Sequence, residues 1–175
     1  MTAEPVVRLG RRDYRIVLPK ISDPRLALAA VIISLQILGQ TVLDFEVSIT
    51  QILLAVGTCA VIEIGIVAWQ RQEIIWPASA MQTGNGIGLI MRVPGTEHGD
   101  WWSTRGAWLF VAVAAFSVLS KYAIHVGDRH LFNPSNFGLV VAFVPLGTDV
   151  VDPQALWWGP LSWPVLAALA VIALG

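Results

Sequence analysis

Long stretches of this chain contain no charged side chain, and its charges are gathered in the short segments between those stretches. Asp, Glu, Lys and Arg are absent from 26–43, 47–62, 64–70, 74–91, 106–120, 131–148 and 153–175. Hydrophobic residues make up 55% of the sequence and charged residues 13%, and the mean hydropathy is +0.67, far from the balance of soluble domains. Because a membrane-spanning helix needs about 20 mostly apolar residues, the pattern predicts an integral membrane protein.

The spacing of these stretches predicts an all-α, polytopic fold with five or six membrane helices. Segments long enough to span a bilayer are predicted at 26–43, 49–69 and 106–125, and a last apolar segment begins near Leu161. Two further segments, 76–93 and 134–147, are short or carry glycine and proline residues that weaken a lipid-facing helix. These two helices are predicted to be short or broken.

The charges between the segments predict the topology. Residues 1–25 form a basic arm, which the positive-inside bias places in the cytoplasm, and 26–175 form one membrane domain. The basic residues of the arm are Arg8, Arg11, Arg12, Arg15, Lys20 and Arg25. Loops 71–73 and 121–130 then share the side of the arm, and loops 44–46, 92–105 and 149–152 lie on the other side. The chain is still apolar at Gly175, which predicts that the natural protein continues beyond it.

The net charge of -1 leaves no electrostatic footprint for nucleic acid. The bilayer, with its anionic headgroups, is therefore the predicted partner of the basic arm.

Polar residues in the glycine-rich segment 76–93 are the first candidates for a binding site. Ser79, Gln82, Thr83 and Asn85 are interleaved with Gly84, Gly86 and Gly88. Glycines let a ligand or a second backbone come close, while amides and hydroxyls supply directional contacts. The pattern favours a pocket, and a glycine-lined contact between helices explains the glycines equally well.

A second group of candidates begins segment 134–147. Asn133 suits the cap of a helix and Pro134 its first position, and the N–H groups that follow carry a partial positive charge. Asn133, Ser135 and Asn136 are thus predicted to bind an anionic or carbonyl-bearing ligand. The alternative interpretation is simply a short, well-capped helix.

Glu63 is the one charge in the interior of a predicted span. An intramembrane carboxylate faces a cavity, a partner or a proton, or it forms hydrogen bonds with Ser, Thr or Gln of a neighbouring helix. No metal site is predicted, because His98 lies in a loop on the opposite side from His125 and His130 and the single Cys59 excludes a cysteine cluster. No nucleophile, base and acid occur together, so no catalytic residue is assigned.

The chain resembles, over roughly 50–147, the first repeat of a membrane family. That family contains the D subunit of Rnf electron-transport complexes and the B subunit of sodium-translocating NADH:quinone reductase. The resemblance rests on Ser79-Ala80-Met81-Gln82-Thr83, on a span that ends in Lys121, and on His130-Leu131-Phe132-Asn133-Pro134 followed by Phe137-Gly138. With Thr96-Glu97-His98-Gly99-Asp100-Trp101-Trp102, the chain is most similar to the short members of the family, which resemble the Rnf D chain or occur as enediyne-biosynthesis membrane proteins.

This resemblance implies a helical fold of two repeats in a bacterial cytoplasmic membrane, whose short helices hold a flavin (FMN or riboflavin). It also implies electron transfer with other membrane or redox subunits as partners. In the family a threonine of a Ser-Gly-Ala-Thr motif in the second repeat carries covalent flavin mononucleotide. Thr83 occupies a similar place in the first repeat, but Met81 and Gln82 replace the small residues beside it, so covalent attachment at Thr83 is a separate hypothesis.

Two other classes of function fit the same sequence. One is a transporter in which broken helices surround a midplane site and Glu63 carries a coupling proton or ion. The other is a structural accessory subunit of a membrane complex, in which glycines form contact surfaces and polar residues join helices.

Overall fold

The chain is mostly helical, and its helices coincide closely with the predicted segments. The computed structural model describes residues 5–126 and 129–154, and residues 167, 171 and 172. In these residues the helices are α1 Pro24–Thr41, α2 Ile49–Arg71, α3 Ala78–Ile90, α4 Ala107–Ala123 and α5 Pro134–Leu146. The apolar segment predicted from Leu161 lies largely outside the described residues.

Short strands accompany the helices, which the all-α prediction did not include. β1 Val6–Leu9 and β2 Arg12–Val17 form an antiparallel hairpin that turns at Gly10, whose φ is +63°. β3 Glu73–Ile75 then pairs in parallel with β2, and the Arg15 guanidinium forms an ion pair with the Glu73 carboxylate. The basic arm is therefore joined to the connection between α2 and α3. A strand of three residues pairing across such a sequence separation leaves no periodic signal in the sequence.

Two two-stranded sheets lie at the ends of the helices. β4 Met91–Arg92 pairs with β7 Asp152–Pro153, and β5 His125–Val126 pairs with β6 Arg129–His130, both antiparallel. Arg92 forms ion pairs with Glu46 and with Asp152 (Nη2–Oδ2 2.5 Å). The hydrogen bond to Asp152, reinforced by Glu46, raises the pKa of Arg92. Loops 44–46, 92–105 and 149–152, which were predicted to share one side of the membrane, thus meet at one end of the helices. Which side of a membrane this end faces stays a prediction.

The helix lengths agree with the predicted segments for α1, α2, α3 and α5, whereas α4, with 17 residues, is shorter than the full span predicted at 106–125. α1 and α2 are long and apolar enough to cross a membrane, judged by length and composition, and α4 and α5 are shorter apolar helices. α3 and α5 have 13 residues each, about 20 Å at the rise of an α-helix. A hydrocarbon layer is about 30 Å thick, so neither of these two helices reaches across it alone.

Glycines of α3 form its contact with α2. A Cβ atom on Gly84 would lie 2.5 Å from Val56 Cα and 2.7 Å from the Ala55 carbonyl oxygen, and one on Gly88 would lie 3.0 Å from Ile52 Cγ1. These two glycines therefore serve close helix packing, as one of the two interpretations held. Gly86 faces away from α2, because its Cβ would lie 3.3 Å from Ser135 Oγ at the start of α5.

The start of α2 is fixed by a capping box. Ser48 Oγ accepts from the Gln51 N–H at 3.0 Å, Gln51 Oε1 accepts from the Ser48 N–H at 2.8 Å, and Ser48 Oγ also donates to the Ser103 carbonyl. We expect Ser48→Ala to lower the free energy of unfolding by about 1–2 kcal/mol, because one cap and one partly buried hydrogen bond are lost. Thermal unfolding of the detergent-purified protein measures this loss. Thr41→Ala, which removes an exposed hydroxyl bonded within its own helix, is the control and is expected to change little.

Candidate functional site

A polar cavity lies where the start of α3 and the start of α5 meet α1 and the end of α4. Its volume is about 260 Å³, and its walls are formed by Leu28, Ile32, Ser79, Gln82, Thr83, Gly86, Lys121, Asn133, Pro134 and Ser135. Leu28 and Ile32 come from α1 and supply an apolar wall. The first turns of α3 and α5 supply the polar one, so the cavity joins the two segments in which the sequence placed candidate residues.

α3 begins at this cavity without a cap of its own. Its N-cap residue is Pro77, which forms no side-chain capping hydrogen bond. The carboxylate of Glu63 on α2 takes that role, because its Oε2 accepts from the Ala80 N–H at 3.1 Å. A negative charge at the N-terminus of a helix is also favoured by the helix dipole. Glu63 therefore holds the start of α3 from a neighbouring helix.

Glu63 is itself paired with the last turn of α4. It is only 4% exposed, and its Oε1 accepts from Lys121 Nζ in an ion pair and from Tyr122 Oη at 3.3 Å. Lys121 Nζ also donates to Ser79 Oγ at 3.1 Å. The partners of Glu63 are thus a cation, a phenol and a backbone N–H, rather than the Ser, Thr or Gln side chains that one interpretation assumed.

Sequence reasoning missed Lys121 and Tyr122 as members of this network. Lys121 served only to mark the end of a span. A usable signal was present, since a buried carboxylate requires a compensating cation. The predicted topology places Lys121 and the end of segment 49–69 on the same side of the membrane. Lys121 is therefore the cation that could have been predicted to pair with Glu63.

The start of α5 is capped by Asn133. Its Oδ1 accepts from the Ser135 N–H at 3.1 Å, from the Asn136 N–H at 3.5 Å and from Ser135 Oγ at 2.7 Å. These N–H groups were predicted to face a ligand, and they are instead bonded to the cap. These hydrogen bonds agree with the alternative interpretation, a short and well-capped helix. The start of α5 contributes Asn133, Pro134 and Ser135 to the wall of the cavity.

Five of the seven candidate residues meet at the cavity and two do not. Those that line it are Ser79, Gln82, Thr83, Asn133 and Ser135. Asn136 is exposed and is absent from its walls. Asn85 lies on another face of α3, where its carbonyl oxygen accepts from Gln36 Nε2 at 3.2 Å and where it lines a separate, mainly apolar groove of about 450 Å³.

Thr83 is 8% exposed, and its Oγ1 donates to the Ser79 carbonyl at 3.2 Å. Gln82 Nε2 donates to the carbonyl of Arg25. Both bonds fix polar side chains on the wall of the cavity.

The three histidines lie in loops and short strands rather than in helices. α4 ends at Ala123, and His125 and His130 are register partners in the β5–β6 hairpin. His98 Nε2 lies 3.5 Å from Asp44 Oδ1, among the loops at the other end of the helices. Within the described ranges, no group of three or more His, Cys, Asp or Glu residues could hold a metal ion.

Comparison of the chain with models of protein families, with curated proteins and with solved structures found no match.

Proposed function

We propose that this chain is a membrane subunit that binds a flavin in the cavity between α3 and α5 and takes part in electron transfer. The observation that carries this proposal is the shared cavity. Its polar wall comes from Ser79, Gln82 and Thr83 of one motif and from Asn133 and Ser135 of the other. These are the segments through which the sequence resembles the flavin-containing Rnf and Nqr membrane subunits.

The surface of the helices supports a place in the bilayer. In the most apolar 18-residue stretch of each helix, only 17% of α1 and 22% of α2 is buried within the described chain. A core helix of a soluble protein is mostly buried. Large apolar side chains stand exposed on these helices and on α4 and α5, among them Ile37, Val61, Trp108, Phe116 and Val144. Water disfavours so much apolar surface, and lipid accommodates it. We therefore propose that the five helices lie in a membrane. The resemblance suggests a bacterial cytoplasmic membrane, and the positive-inside bias suggests a cytoplasmic basic arm.

The groups on the wall of the cavity fit a flavin. Gln82 offers both an amide donor and an acceptor, Ser79, Thr83 and Ser135 offer hydroxyls, and Lys121 offers a cation. The hydroxyls and the cation match the phosphate of flavin mononucleotide, and Leu28 and Ile32 suit an apolar part of the cofactor. The volume of about 260 Å³ lies slightly below the ~300–1,000 Å³ of typical ligand pockets, so the cavity takes one end of the molecule.

The residues of the chain would bind and orient the cofactor while the cofactor performs the redox step. A bound flavin supplies one-electron and two-electron transfer. Ser79, Gln82 and Thr83 hold polar groups at fixed positions, because α3 is anchored by Glu63 at its start and by Gly84 against α2. The apolar wall from α1 limits access of water. Electrons are proposed to arrive from, and leave to, other redox subunits.

Absorption and fluorescence spectra of the detergent-purified protein test this proposal, recorded again on the chain after denaturation and size separation. We expect flavin bands in the folded protein. Bands that remain with the denatured chain and disappear in Thr83→Ala would mean covalent attachment at Thr83, and bands released on denaturation would mean a non-covalent site. Correctly folded, colourless protein would contradict flavin binding.

One observation favours a transporter as the second candidate function. A buried ion pair, Glu63 with Lys121, stands beside two 13-residue helices whose N-terminal turns face one cavity. This arrangement resembles the broken helices that surround substrate sites in secondary transporters. Flavin-independent uptake into vesicles that Glu63→Gln abolishes would support it. Colourless protein without uptake that is stable only with a partner would instead indicate an accessory subunit.

A further inference from the structure

Lys121 places a positive charge on the wall of a cavity in the membrane domain. It belongs to the last turn of α4, and its side chain is 20% exposed. Among the described residues that line the cavity, it is the one that carries a charge, since the others are polar or apolar. The guanidinium of Arg25, on nearby α1, is bound to Asp23 through Nε and Nη2.

The ammonium of Lys121 has one N–H more than its partners in the described chain use. A lysine ammonium has three N–H donors and no acceptor. Two of them are used, one by Glu63 Oε1 and one by Ser79 Oγ. The remaining N–H has no hydrogen-bond acceptor among the described residues, and the Tyr122 ring centroid lies 5.6 Å from Nζ. Ser79 adds a second donor, because its hydroxyl oxygen accepts from Lys121 and its own hydrogen has no acceptor among the described residues.

Glu63 and Lys121 both have a structural role, Glu63 as the cap of α3 and Lys121 as the cation that compensates Glu63. Glu63 caps α3, which has no other cap. A buried ion pair, however, is generally no more stabilising than apolar side chains of similar size. An ionisable residue kept in a membrane domain and facing a cavity is usually functional, and the position of Lys121 on the wall is that of a group that meets the ligand.

We propose that Lys121 binds the anionic end of the ligand, a phosphate or carboxylate, and that Glu63 is a positioning residue that orients the ammonium. This inference rests on the proposed function, because it assumes that the cavity is the ligand site. It adds the ligand's charge and the residue that recognises it. With Glu63 and Lys121 neutralising each other, an anion in the cavity meets the remaining N–H of Lys121 and the Ser79 hydroxyl, and no carboxylate is among the described residues that line the walls.

Binding of flavin mononucleotide and of riboflavin, which differ only by the phosphate, tests the inference on the full-length protein in detergent. We expect the wild type to bind the phosphorylated form at least about tenfold more tightly, the contribution of one hydrogen bond to a charged group. The double variant Glu63→Gln/Lys121→Gln should lose that preference, because it keeps a neutral pair and an acceptor for the Ala80 N–H. An equal preference in the wild type and the double variant would overturn the inference.

The single variant Glu63→Gln separates recognition from structural support. It removes the negative charge that competes for Lys121, so the phosphate preference should be kept or raised. If Lys121 were only a structural partner of Glu63, Glu63→Gln and the double variant would show the same preference. The control is Lys20→Gln, which removes an exposed positive charge from the arm and should leave the preference unchanged.

If the protein does not bind flavin, the role of Lys121 can still be tested with other anions. Inorganic phosphate, and micelles containing phosphatidylglycerol or phosphatidylcholine, are compared for their effect on the melting temperature. Stabilisation by phosphate or by phosphatidylglycerol alone, lost in the double variant, would mean that Lys121 binds a free phosphate or a lipid headgroup although the proposed function is wrong. No stabilisation by any of these anions, together with no flavin binding, would overturn both.

Discussion

Replacing Lys121 by alanine is expected to lower the free energy of unfolding by about 3–5 kcal/mol, the usual effect of leaving one partner of a buried ion pair alone. Glu63, 4% exposed, would keep its charge without the cation that compensates it. The carboxylate would be drawn away from the Ala80 N–H, and α3 would lose its only cap in the described chain. The consequence is a loosened start of α3, which forms the polar wall of the cavity.

The lone cysteine offers a measurement of this loss. Cys59 is fully buried on α2, and the sequence contains no other cysteine. The temperature at which a thiol-reactive dye modifies Cys59 therefore reports unfolding directly. The control breaks the exposed pair of Arg8 and Asp13, which lie 3.8 Å apart with side chains 75% and 69% exposed. Arg8→Ala is expected to change stability by less than about 1 kcal/mol, and an equal loss in both variants would contradict a structural role for the buried pair.

Gly84→Ala is expected to destabilise the protein by about 1–3 kcal/mol, although alanine is the better helix former. The added Cβ would lie 2.5 Å from Val56 Cα, and a backbone atom cannot move aside as a flexible side chain can. α3 would have to move away from α2, with the strain typical of overpacking. Because α3 carries Ser79, Gln82 and Thr83, we also expect the cavity to change shape and ligand affinity to fall.

A glycine on the exposed side of α2 provides the matched control. Gly57 is exposed, and a Cβ built on it meets no atom within 4 Å. Gly57→Ala should therefore stabilise the helix by up to about 1 kcal/mol, the opposite sign from Gly84→Ala. The same Cys59 labelling assay compares them. Equal shifts in the two variants would show that Gly84 does not form a close helix contact.

The sequence predicted the helices well because their ends carry strong local signals. Asn133-Pro134 caps and begins α5, and Asp23-Pro24 begins α1 in the same way. A charge marks the end of α2, at Arg71. A helix that must stay apolar along its length and end at a polar residue can be recognised from composition alone.

The partners of Glu63 and the pairing of the strands could not be predicted in this way, because they join residues that are far apart in the sequence. Glu63 meets Ala80 and Lys121 only because α3 and α4 both pack on α2, and no local pattern encodes that packing. The pairing of β2 with β3 likewise brings Arg15 beside Glu73. The glycines of α3 illustrate the same difference. Their density was visible, but only the packing assigns Gly84 and Gly88 to α2 and Gly86 to the cavity.

The flavin content of the full-length, detergent-purified protein tests the central claim most directly, when wild type is compared with a variant whose cavity is filled. Gly86→Leu places a side chain beside Ser135 in the cavity, and Gly65→Leu adds the same side chain at an exposed position of α2 where a Cβ meets nothing within 4 Å. We expect flavin in the wild type and in Gly65→Leu, and its loss from folded Gly86→Leu. Folded wild type without flavin, or equal flavin in all three proteins, would contradict a flavin site between α3 and α5.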